Sequence, residues 1–196
     1  MKVAKGIPNN VYNSLDLSVP TSDDWSIAIE IFSQRFYGRY IEPVDKLIEI
    51  ESSLSNSDKK FGFTVTAINC LLIETMACFY TGLPETPKNQ NERCFVEYLT
   101  NPDSVFAKHF NRDTATLFYR EIRCGILHQS ETKNSSLIKA HGPLIKINEK
   151  SVVVNRNALH SALKEEFNNY VKRLSEPSND KLRENFRKKM DHICRK

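Results

Sequence analysis

Arg123 and His128 stand five positions apart in Arg123-Cys124-Gly125-Ile126-Leu127-His128, inside a stretch that otherwise reads as a buried helix. Charged and titratable side chains enter apolar helices when they are paired or have chemistry to perform. An arginine holds phosphate oxygens through a planar fork of donors, and a histidine moves a proton near neutral pH. Together they are a candidate site for phosphodiester chemistry. The plainer reading is a surface salt bridge for Arg123 and a helix-terminal, dipole-facing role for His128.

The helix that must position them begins at Asn111-Arg112-Asp113 and runs to about Gln129. At about 100° per residue, Ala115, Phe118, Ile122, Gly125, Ile126 and Gln129 share one side, which is expected to face the core. Arg123 and His128 then lie about 140° apart and flank the opposite face, with Thr116, Arg120, Cys124 and Leu127 between them. A face centred on Leu127 and Cys124 suits contact with a second chain. Gly125 adds to that case, because a mid-helix glycine costs about 1 kcal/mol against alanine and marks a close backbone approach, either to a partner or to the chain's own helices. A two-fold crossing of this helix would bring Arg123 of one copy to His128 of the other.

A second helix is expected over Phe61 to Tyr80, apolar nearly all round and stopped by Gly82 and Pro84. Its one charge is Glu74, on a stripe with Cys70 and Cys78. Glu74 is expected to pair with Arg120 or Arg123, either to orient a catalytic arginine or as a structural ion pair.

The rest of the chain is read around these two elements. Residues 1–20 look like an irregular arm. Thr21-Ser22-Asp23-Asp24 starts a helix carrying Trp25, Ile29, Phe32 and Phe36, and Pro43 either opens the next helix or kinks a continuous one. Short helices are expected near Glu92 to Leu99 and Ser104 to Phe110. Leu137 to Lys139, Leu144 to Ile147 and Val152 to Val154 have strand-like composition and are expected to form a small hairpin. Asn155 caps a long helix that Pro177 ends. Residues 177–196 form a basic amphipathic helix that either contacts a nucleic-acid backbone or is simply solvated. Arg35 and Arg39, beside Phe36, Tyr37 and Tyr40, either line a nucleic-acid groove with that helix or flank aromatic residues of the core.

The 196 residues carry a net charge of +4 and 40% apolar residues. Such a chain suits one main domain, residues 21–176, with the arm and the basic helix appended. The mild charge permits a nucleic-acid partner without requiring one. No run of about 18 apolar residues predicts a membrane span, and the first residues lack the apolar core of a secretory signal. Five cysteines without short pair spacing suggest reduced thiols in the cytoplasm, and the scattered histidines suggest no metal site and no cofactor.

The segment Phe118-Tyr119-Arg120-Glu121-Ile122-Arg123-Cys124-Gly125-Ile126-Leu127-His128-Gln129 resembles the HEPN superfamily, whose nuclease members carry Arg-x(4–6)-His on a late helix of a small bundle. Leu71-Leu72-Ile73-Glu74-Thr75 resembles the preceding long helix, and the likeness covers roughly residues 23–175. Two departures are visible. Cys124 stands where many such nucleases have a polar residue, often Asn. The tyrosine that one toxin group modifies near the motif is missing, since Gln129 and Ser130 follow the histidine.

The resemblance implies an all-α, up-and-down helical bundle with a small β-hairpin insertion before the penultimate helix. The helix-face geometry adds to this the expectation of a homodimer through the Arg123–His128 helix. The implied activity is metal-independent cleavage of RNA in toxin or antiviral defence, with an antitoxin or regulatory protein as a further partner. His128 would be general acid or base and Arg123 the phosphate-holding group, with Glu74 and Arg120 in support. DNA would resist, lacking the 2′-hydroxyl. The rival readings are a silent HEPN-like module binding RNA, nucleotide or protein, and a purely structural helical dimer.

Overall fold

The computed structural model describes residues 1–149 and 151–195. The chain is predominantly helical and divides into two compact units of interleaved segments. One comprises residues 1–43, 78–85 and the chain from Phe167 onward; the other comprises Val44–Ala77 and Thr86–Glu166. The expected single main domain with two appended ends is therefore not how the contacts divide.

In the first unit, β1 (Lys2–Ala4) pairs antiparallel with β2 (Ile7–Pro8), and α1 (Asn9–Asn13) follows. Residues 1–20 are thus not an irregular arm: Val3, Ala4, Tyr12 and Leu17 are buried. Arg35 Nη1 donates to Val3 O (2.7 Å) and Arg39 Nη2 to Lys2 O (2.8 Å), so these arginines hold the first strand in place. Helix α2 (Asp24–Phe36) passes through a π-helical turn (Tyr37–Ile41) into α3 (Glu42–Ser52), whose first turn accepts Pro43. Phe32 of α2 centres an aromatic core, with ring centroids 4.7 Å from Phe36 and Phe79, 5.2 Å from Phe167 and 5.3 Å from Phe186.

The basic helix α9 (Asp180–Arg195) belongs to this core and is no appendage. Phe186 and Met190 are fully buried. Its cations are largely committed. Arg183 lies 4.0 Å over the Trp25 ring and donates to Leu174 O and Pro20 O. Lys189 Nζ donates to Pro84 O, and Arg187 to Leu17 O. Lys181 and Lys188 pair with Glu184, and Arg195 with Asp191.

The second unit holds most of α3 and the body of α4 (Gly62–Thr81), with α5 (Asn91–Leu99), a 3-10 turn (Val105–Lys108) and α6 (Arg112–Leu117). After a π-helical turn (Phe118–Arg123) come α7 (Cys124–Gln129) and a small sheet. Asn111 caps α6 through a reciprocal pair of hydrogen bonds with Thr114. Phe95, Phe110 and Phe118 form one buried chain of rings.

The sheet exceeds the expected hairpin. Strands β4 (Ile145–Asn148) and β5 (Ser151–Asn155) are antiparallel neighbours, and β3 (Leu137–Lys139) adds on the other side of β5, parallel to it. The alternation within β5 buries Val152 and Val154. Asn155 then caps α8 (Arg156–Ser175), its Oδ1 accepting from the amides of Asn157 (3.0 Å) and Ala158 (3.2 Å).

Among the described residues, α4 alone is long and apolar enough to cross a membrane, and 56% of its most apolar window is buried within the protein. A charged pair at Glu74 and this degree of burial fit a core helix.

Candidate active site

Glu74 sits halfway along α4, and Arg123 ends the π-helical turn between α6 and α7. Arg123 is 8% exposed. A buried guanidinium needs partners, and Glu74 supplies two: Nε donates to Oε1 (2.6 Å) and Nη2 to Oε2 (3.1 Å). Burial alone would lower the pKa of Arg123. The hydrogen bonds and charge of Glu74 outweigh it, so the group sits above its ordinary value and stays cationic. The ring of Tyr119, 5.2 Å from the guanidinium carbon, adds a cation–π contact. Burial pushes the Tyr119 phenol up to about 12, with Arg123 pulling the other way.

The pairing leaves one nitrogen of the fork, Nη1, without a carboxylate. It lies 3.4 Å from His128 Nε2 and 4.0 Å from Cys124 Sγ. A guanidinium can only donate, so this contact forms when Nε2 presents its lone pair. His128 is exposed and Cys124 half-buried, so the imidazole beside this nitrogen is open to solvent. The two groups come together within one chain; no second copy is needed to unite them. The 140° separation on a regular helix is bridged by the length of the arginine side chain.

Two other readings are corrected. Arg120 does not join the pair: its Nε and Nη2 donate to Glu92 of α5 (2.8 and 2.7 Å) on the surface. Gly125 answers to the chain itself rather than a partner. A Cβ there would collide with the carbonyl of Glu131 and lie 3.2 Å from Thr132 Cα.

The segment after α7 folds back across that glycine. Ser130 ends the helix in the left-handed region (φ 55°), Lys133 N donates to Glu121 O (2.9 Å), and Asn134 Nδ2 to Glu121 Oε2 (2.9 Å). Glu121 and Tyr119 were not singled out by sequence. Tyr119 had a readable signal, four residues before Arg123 on a helix; the partners of Glu121 lie in a loop with no periodicity. Leu127, expected at a partner-facing surface, is exposed.

Of the stripe on α4, Cys70 is buried and its thiol is pushed up, first by burial and then by Glu74, so it is not a reactive thiolate. All five cysteines are free. Among the described residues, no three His, Cys, Asp or Glu side chains converge as metal ligands. The arrangement can therefore offer a phosphodiester one cationic donor and one proton-transfer group on the same edge. Comparison with protein-family models, with curated proteins and with solved structures gives no match to this chain.

Proposed function

We propose that the chain is an endoribonuclease of HEPN type that needs no metal, working through Arg123 and His128. The observation that carries this reading is the 3.4 Å approach of Arg123 Nη1 to His128 Nε2, with Glu74 occupying the other side of the fork. A phosphate oxygen bound at Nη1 would sit beside the imidazole. His128 would then take the proton of the ribose 2′-hydroxyl as that oxygen attacks the adjacent phosphorus. The bond to the 5′ oxygen breaks, leaving a 2′,3′-cyclic phosphate and a 5′-hydroxyl, with the leaving oxygen protonated by His128 as acid or by water. Arg123 stabilises the negative charge building on phosphorus-bound oxygens.

A homodimer through α7, centred on exposed Leu127, a cytoplasmic setting with free thiols, and a role as toxin or antiviral effector held by an antitoxin or regulatory protein complete the proposal.

The test is cleavage of single-stranded RNA in excess chelator, with DNA of the same sequence as control. His128→Ala is expected to lower the rate by about 10²–10⁴-fold, while circular dichroism stays unchanged. RNA left intact by the parent protein under conditions where it is folded rejects the assignment. One observation favours a second reading, a silent module that binds RNA, nucleotide or protein: Glu74 already holds two of the three guanidinium nitrogens, as a structural pair would. RNA binding without cleavage selects that reading.

A further inference from the structure

Beyond α7, the loop that crosses Gly125 becomes one wall of an open groove of about 430 Å³ within the second unit. Three separate segments bring cations to it: Lys59 and Lys60 before α4, Lys139 at the end of β3, and Arg156 at the start of α8. Lys60 and Lys139 are exposed, and among the described residues neither side chain makes an ion pair.

Arg156 is different. It is 4% exposed, its Nη2 is committed to Glu51, and its Nε is buried without a hydrogen-bond partner. The absence of a side chain at Gly62 lets this guanidinium lie against the first turn of α4; a Cβ there would stand 3.2 Å from Nη1. The positive end of a 20-residue helix and an under-satisfied arginine thus share one wall. Of the opposing charges, buried Glu51 is paired, whereas exposed Glu131 makes no ion pair among the described residues. Glu51 accepts from the Lys60 and Phe61 amides and from Arg156, and Glu131 Oε1 accepts from the Thr132 amide (2.9 Å).

Phe63, one residue into α4, lines the same groove and is 39% exposed. An exposed aromatic among spaced cations is the combination that stacks a base and tracks a phosphate backbone. A site for a single free phosphate would have no use for it.

We propose that this groove binds single-stranded RNA, with Lys60 and Lys139 facing phosphates, Arg156 held behind them by Glu51, and Phe63 stacking on a base. The loop after α7 joins the two sites, since Glu131, Thr132 and Ser136 line the groove, and RNA binding there stands or falls separately from the nuclease reading on which its cleavage rests.

The test uses a fluorescently labelled single-stranded RNA of 16 nucleotides, read by anisotropy over a range of salt. The proteins are the full chain, His128→Ala, Phe63→Ala and Lys60→Glu/Lys139→Glu. The altered side chains are solvent-exposed, and circular dichroism checks each fold. Losing two phosphate contacts is expected to weaken binding at least 10-fold and to reduce the slope of log affinity against log salt by about 1.4. Phe63→Ala is expected to weaken it by about 5- to 150-fold, and His128→Ala to bind like the parent. No binding by the parent, or unchanged binding in both groove variants, overturns the groove. RNA that is bound through the groove yet never cut by the parent overturns the nuclease reading and leaves the groove standing.

Discussion

Glu74 divides the guanidinium of Arg123 into an edge that is held and an edge that is open. The division yields a prediction that charge alone would not. Arg123→Lys keeps the cation but cannot span both oxygens of Glu74 and still reach toward His128. Cleavage is expected to fall by about 10²-fold, the scale of losing one aimed donor at a developing oxyanion. Single-turnover rates with saturating RNA measure it, and a rate within twofold of the parent removes Arg123 Nη1 from the chemistry.

At this scale much was readable in advance. A lone carboxylate in α4 demands a partner, and one of two nearby arginines supplied it. Arg120 and Arg123 were equal candidates because sequence spacing does not say which of two nearby cations faces inward. Glu92, which takes Arg120, lies 28 positions away and left no trace in any local pattern.

At the scale of elements, two features are exposed to substitution. The first is the contact of α7 with the loop that follows it. Gly125→Ala improves helix propensity by about 1 kcal/mol, yet its Cβ meets backbone rather than a movable side chain. The expected net result is a loss of about 1–3 kcal/mol, seen as a thermal midpoint lower by several degrees. A midpoint equal to or above that of the parent would show that the loop gives way freely.

The second is Glu51 at the end of α3, buried against the start of α4 and against Arg156. Burial pushes its carboxyl up, but the amides of Phe61 and Lys60 and the charge of Arg156 prevail and hold it below the usual carboxylate range. A depressed folded pKa means stability that is present above that range and lost as pH falls through it. Glu51→Gln is expected to be less stable than the parent near neutrality, with the gap closing in acid. Urea midpoints at pH 7 and pH 4 test it, and a gap that widens in acid would contradict the assignment of charge.

Helix positions and caps were legible because they follow period and end chemistry, as at Asn111 and Asn155. The π-helical turns were not, since an extra backbone residue per turn leaves the apolar pattern nearly intact. The third strand was seen as composition but not as pairing, because β3 joins β5 in parallel from outside the hairpin, Leu137 opposite Val153.

For the whole molecule, the position of both reactive groups in one chain separates two ways of building a site. Were Arg123 and His128 complementary only across a dimer axis, mixing Arg123→Ala with His128→Ala subunits would regenerate intact sites. The contact within one chain predicts no recovery when the two inactive proteins are mixed under conditions that exchange subunits. Recovery to an appreciable fraction of parental cleavage would place the working site between subunits. This scale was the least legible. Charge along α9 suggested either a nucleic-acid face or a solvated one, whereas Arg183, Arg187 and Lys189 are spent on carbonyls of the protein itself. Local pattern also cannot show that residues 1–43 and the last helix share a core.

That shared core has a consequence for the order in which the protein is made. Phe186 packs on Phe32 and Phe79, residues translated more than a hundred codons earlier. The unit bearing Arg123 and His128 lies within residues 44–166, which are translated before α9. The aromatic cluster around Phe32 must wait for α9 with its rings uncovered, so nascent chains stalled after about residue 176 would carry a sticky, unfinished half and become natural clients for chaperones.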